Sequence, residues 1–476
     1  MVFSSIVFLL YFLPLFLLTY YLCPDRFKNV LLLASSIFFY SWGAPKFIFV
    51  ILGTTLIDFF LVRFLSQQTN DRSRRLFLVL SISLNLGLLF YFKYCNFFID
   101  NLNTLLSAGG LKAVPLLHVV LPIGISFYTF ESLTYVIDVY RKEHAPLKNF
   151  MHYQLYIILF PKLIAGPIIR YKDMADQITG RFDSFTYSMA LKGFHRFVIG
   201  LSKKVLLANT LGDYADKAFA MDLNLINGHV AWLGAICYTM QIYFDFSGYS
   251  DMAIGIGQML GFRFPENFNN PYTSQSITEF WRRWHMTLGA WMRNYLYIPL
   301  GGNRVSSRLR LYFNLWIVFV LSGFWHGACW TFVIWGVFHG TFLILERGRY
   351  GKFLQRIGKW PALILTFLVI NFGWVFFRET TVNAGFRYIQ AMFCFDRPWL
   401  EAHANMHEVS VFLILALFFS FFTTFGFLKK IQNRIYTDSL NLAETFLYTA
   451  LSLAFLTLSV AFITASDFNP FIYFRF

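Results

Sequence analysis

LYFNLWIVFVLSGFWHGACWTFVIWGVFHGTFLIL, residues 311–345, holds no Asp, Glu, Lys or Arg over 35 positions and places Trp325-His326-Gly327 near its middle. One helix needs only about 20 apolar residues to cross a bilayer, so the run is too long for a single crossing. Its glycines, Gly323, Gly327, Gly336 and Gly340, predict that it breaks or packs closely around the histidine. An ionisable side chain at that depth is costly and is a functional candidate by default. A neutral imidazole can take a proton from a hydroxyl or thiol, so His326 is a candidate catalytic base. The run offers no acidic partner, and taken alone His326 can equally be a structural histidine.

Outward from this stretch the composition is of one kind. The 476 residues are 57% hydrophobic and 14% charged, whereas soluble domains carry about 25% charged residues. The chain therefore reads as an all-α polytopic membrane protein, with the lipid bilayer as its solvent. Aromatic residues reach 21%, with 60 Phe, which suits lipid-facing surfaces and interfacial belts. The net charge of +15 is assigned to short cytoplasmic loops rather than to nucleic-acid binding; a basic inner face also attracts a phosphorylated donor. Four basic clusters, Arg72 to Arg75, Lys203-Lys204, Arg347 to Lys359 and Lys429-Lys430, are placed on that side. The five cysteines are scattered, with neither metal spacing nor a disulfide framework. The apolar segment Met1–Tyr20 lacks a basic start and a small-residue cleavage site, so it reads as a retained helix.

Charge-free runs begin near Val2, Val30, Leu76, Leu223, Leu311, Pro361, Val409 and Thr445. Shorter candidates lie around Phe47–Phe64, Val114–Val139, Tyr153–Ile169 and Phe197–Leu211. Ten to twelve transmembrane helices are expected, in one integral domain spanning residues 1–476. From about residue 245 the pattern becomes polar yet stays rich in Trp, Tyr, Phe and Gly, with Pro265, Pro271 and Pro299. This predicts an irregular core, about 245–345, of short re-entrant or interfacial helices lining a cavity.

His285 is the second candidate, in Trp281-Arg282-Arg283-Trp284-His285. Trp stacks on planar groups and Arg grips phosphate or carboxylate. The competing reading is an anchor helix, with Trp at the headgroups and Arg snorkelling. His339 is a weaker candidate at another depth. The stretch Tyr243 to Asp251 supplies two carboxylates and is read as a turn and helix cap. No G-x-S-x-G, H-E-x-x-H or P-loop motif occurs.

Long ordered motifs then give a resemblance. They are LPIGISFYTFE (121–131), IAGP (164–167), Tyr243 to Asp251, QSITEFWRRWH (275–285), YIPLGGNR (297–304) and Trp325-His326-Gly327. Together they resemble the membrane-bound O-acyltransferase family, in the bacterial branch that serves alginate, peptidoglycan and teichoic-acid acylation. The likeness covers essentially the whole chain. It implies a ring of transmembrane helices around a central funnel. It implies His326 as the essential histidine and His285 as the second. Acetyl-CoA is the implied acyl donor, a substrate rather than a bound cofactor, with no metal. Arg282, Arg283 and Arg293 are candidates for its phosphates. The acetyl group would pass across the bacterial inner membrane to a periplasmic serine-esterase-like partner that acetylates an alginate-like exopolysaccharide or peptidoglycan. The aromatic end of the chain resembles the branch's tail, with Tyr473 as a candidate acyl relay or an interfacial anchor. The alternative is a transporter or flippase of an acyl or lipid-linked sugar group, disfavoured by the absence of repeats and of distributed intramembrane carboxylates.

Overall fold

The computed structural model describes residues 1–398, 406–435 and 440–465. Among these the regular structure is helical, without strands. The chain divides into two compact units, residues 1–190 with 256–265, and residues 191–255 with 266–476.

The first unit contains α1 (Val7–Leu22), α2 (Asp25–Gly43), α3 (Ile48–Gln67), α4 (Asp71–Ala108), α5 (Ile125–Tyr140) and α6 (Phe150–Ile158). The span expected around Val114–Val139 is helical only in its second half, since residues 111–122 have no regular structure. The interior holds charges with internal partners. Asp58 of α3 accepts from Ser81, from Tyr153 at 2.8 Å and from Asn85 at 3.3 Å. Glu131 and Lys162 form an ion pair with side chains 2% and 0% exposed. A charge buried in the protein interior away from water is costly unless it is paired and hydrogen-bonded, so such pairing is what allows these residues to be there.

The second unit holds most of α7 (Tyr187–Ser202) and of α8 (Gly228–Met259), then two short helices, α9 (Ile277–Arg283) and α10 (Met286–Trp291). It continues with α11 (Arg308–His326), α12 (Trp330–Glu346), α13 (Lys359–Arg378), α14 (His407–Thr424) and α15 (Leu442–Ala465). The uncharged run at 311–345 thus breaks at Gly327-Ala328-Cys329, directly after the histidine. Its glycines also allow close packing. A methyl group at Gly323 would lie 2.2 Å from the Phe332 carbonyl oxygen, and one at Gly336 would lie 2.4 Å from that of Phe319.

Helix α8 corrects two expectations. It is 32 residues long, about 48 Å at 1.5 Å per residue, and it runs straight through Tyr243 to Asp251. That stretch is helix interior rather than a cap, and irregular backbone starts only after Met259. The carboxylates survive there because α7 and the π-helical segment Lys203–Asn209 that continues it supply cations. Lys204 Nζ lies 2.6 Å from Asp245 Oδ1, with both side chains nearly inaccessible. Asp251 accepts from Arg196 at 2.9 and 3.1 Å and from Lys203 at 2.6 Å. Lys203-Lys204 is therefore not a solvated loop cluster but part of this interior network.

Five described helices, α3, α4, α13, α14 and α15, are long and apolar enough to cross a membrane. The expected count was ten to twelve. Helices α8 and α11 are long but carry charges, Asp245 and Asp251 on one and Arg308 and Arg310 on the other. Helix α12 has only 17 residues.

Candidate active site

His326 is the last residue of α11. Gly327 follows in extended conformation, and a methyl group there would sit 2.2 Å from the Phe332 ring, so a side chain at this position would displace that ring. The His326 imidazole is 7% exposed and lies among aromatic rings. Its centroid is 5.0 Å from Trp325, 5.1 Å from Phe377 and 5.4 Å from Trp335, in each case edge to face. These walls confine the ring by shape.

His285 stands at the break between α9 and α10. Its backbone is left-handed, with φ +45°, a conformation uncommon for a residue with a side chain. The ring is 2% exposed. Phe246 of α8 meets it edge-on at 4.7 Å, and Nδ1 lies 3.0 Å from Asn267 Oδ1. The Trp325 indole lies 6.3 Å from the His285 ring, so one tryptophan neighbours both histidines.

His285 and His326 line the same cavity, of about 250 Å³, together with Ser322, Thr278 and Tyr297. Arg282 and Arg293 also line it, and both side chains are exposed. The cavity therefore joins two buried imidazoles to two accessible guanidiniums. Arg283 is not in its wall. Its guanidinium donates to Glu279 Oε1 at 2.5 Å and to Thr273 Oγ1 at 2.8 Å, closing the turn that precedes α9. Tyr473 lies outside the described residues.

Trp284 is no headgroup anchor. It is 3% exposed and packs 4.9 Å from Trp374. His339 is fully buried between Trp281 and Trp335, each at 4.9 Å, and does not line the cavity. Among the described residues, no group of three or more His, Cys, Asp or Glu is arranged to hold a metal ion. Sequence reasoning missed Trp335, Phe377, Phe246 and Asn267, which reach the histidines from other elements at separations that no local motif encodes.

A family model described as membrane-bound O-acyltransferase matches residues 36–378. The chain is 42% identical to a probable alginate O-acetylase, AlgI, of Pseudomonas putida over 494 aligned residues, covering all of both chains. It is 45% identical to the protein of the same name from Pseudomonas aeruginosa, over 88% of this chain and 81% of that one. It is 34% identical to a peptidoglycan O-acetyltransferase of Helicobacter pylori, over 100% of this chain and 98% of the relative.

Proposed function

The chain belongs to the membrane-bound O-acyltransferase family, and on that footing we propose that it takes acetyl from cytoplasmic acetyl-CoA and passes it across the bacterial inner membrane. It is a membrane-embedded acyltransferase whose relatives modify envelope polymers. A periplasmic serine-esterase-like partner then acetylates hydroxyls of an alginate-like exopolysaccharide or of peptidoglycan. Further helices, including α8 and α11, complete a set of ten to twelve crossings.

One observation carries this reading: His285 and His326 line one cavity that also reaches the exposed Arg282 and Arg293. The guanidiniums suit the phosphates of the donor by charge and by planar, bidentate geometry. His326 acts as general base. It takes the proton of the acceptor hydroxyl while that oxygen attacks the thioester carbonyl carbon. A C–O bond forms and the C–S bond breaks. The proton passes to the departing sulfur, giving free coenzyme A and an acetyl ester. His285 positions the acyl group or assists the proton. Arg283, paired within the protein, supports the backbone that carries Arg282 and His285.

The test is thioester turnover by the purified protein with acetyl-labelled acetyl-CoA, beside O-acetyl ester levels at the cell surface. Loss of both in His326→Ala at unchanged abundance is expected. Unchanged ester levels in that variant would overturn the reading. Translocation of a lipid-linked sugar without thioester turnover would replace it with the transporter.

A further inference from the structure

Asn267, in the irregular segment between α8 and α9, is 0% exposed and does not line the cavity. Its amide orientation is set by its neighbours. The Thr287 hydroxyl donates to Oδ1 at 2.9 Å and the Thr287 backbone N–H points to the same atom at 3.4 Å, while Nδ2 donates to Ser250 Oγ at 3.0 Å. A backbone N–H only donates, so the atom facing it is the oxygen. His285 Nδ1 lies 3.0 Å from that oxygen and must therefore be the protonated nitrogen. In a neutral imidazole the other nitrogen is then a bare acceptor. Nε2 has no hydrogen-bond partner among the described residues, and a second proton there would create a buried donor with nothing to receive it.

The backbone reinforces the arrangement. Met286 N donates to the Asn267 carbonyl at 2.9 Å and Asn269 N to that of Arg283 at 2.9 Å. These two bonds bracket His285 and hold its left-handed conformation, which persists only where the surroundings over-determine it.

We propose that Asn267 is a positioning residue that locks His285 as the Nδ1–H tautomer, so that Nε2 stands bare as the acceptor for a hydroxyl or thiol proton of the reacting groups. The inference rests on the acyltransferase reading for its use, but the tautomer itself can be measured independently.

The first experiment is ¹⁵N NMR of the full-length, histidine-labelled protein in lipid, with His285→Gln identifying the His285 signals. A protonated Nδ1 and a bare Nε2 are expected; the opposite tautomer overturns the proposal whatever the activity. The second is acetyl-CoA turnover in Asn267 variants. Asn267→Ala is expected to lose roughly 10–100-fold, part of the 10²–10⁴ that general acid–base catalysis contributes, while Asn267→Asp, which keeps an acceptor for Nδ1–H, restores turnover to within about threefold of wild type. Full turnover in a folded Asn267→Ala overturns the proposal and leaves the acyltransferase reading intact. Absence of turnover in the wild-type protein overturns that reading instead, and the NMR result still decides the tautomer.

Discussion

The indole of Trp325 meets the imidazole of its chain neighbour His326 edge to face, with ring centroids 5.0 Å apart and planes at 72°. Such pairs contribute about 0.5–1.5 kcal/mol beyond their burial. The same indole borders His285 at 6.3 Å, so it couples the placement of the two rings. Under the proposed reaction, Trp325→Phe, which keeps an aromatic wall, should retain most acetyl-CoA turnover. Trp325→Leu should lose about 10–100-fold, the scale of a misplacement near 1 Å. Turnover by purified variants at matched abundance checks this.

The close approach of α11 and α12 makes a second prediction. A methyl group at Gly336 would press on Phe319 O at 2.4 Å and on Val320 Cα at 2.9 Å, both backbone atoms. Gly336→Ala should therefore destabilise the protein by about 1–3 kcal/mol and displace His326, lowering turnover as well. Gly53→Ala in α3, where nothing lies within 4 Å, is the control and should leave both unchanged. Thermal unfolding in detergent reads the first effect and acetyl turnover the second.

The network under α8 predicts a stability loss of another kind. Asp251→Leu leaves Arg196 and Lys203 without the carboxylate they share, while Arg196 keeps its bonds to Glu266. Removing one partner of a fully buried ion pair costs about 3–5 kcal/mol, and the retained Glu266 brings the expected loss below that. A lowered unfolding midpoint is expected, and an unchanged midpoint would show that the cations find other partners at no cost.

A pH dependence follows from the first unit. Lys172 Nζ donates to Glu143 Oε2 at 2.7 Å, and this bond holds the Glu143 carboxyl below the ordinary carboxylate value. A depressed folded value means that the stabilisation is present above the unfolded value, about 4.3, and is lost as pH falls through the folded one. Both side chains are about one-third exposed, so solvent screens the pair and Lys172→Met should cost at most about 1 kcal/mol. The difference between variant and wild type should be present at pH 7 and vanish in strong acid.

Part of the site was legible before the fold was known. His326 and His285 stand out because ionisable groups are conspicuous in apolar sequence. Arg282 and Arg283 are adjacent and look equivalent, yet one lines the cavity and the other pairs with Glu279. Neighbours on a helix of 3.6 residues per turn point about 100° apart, and composition does not say which direction is inward. Lys203 and Lys204 were misread for a related reason: a basic pair looks like a loop signal until Asp251 and Asp245 are found opposite it.

The sequence by itself determined the membrane class and the two histidines, because apolar length and ionisable groups within it are local properties of the chain; of the uncharged run it said only that its glycines break it or pack closely around His326. Only the tertiary structure decided that His285 and His326 share one cavity, that Trp335 and Phe377 wall His326, and that Asn267 Oδ1 faces His285 Nδ1. Those relations join side chains on separate helices and turns, and their meeting is set by how the backbones pack rather than by any spacing along the sequence.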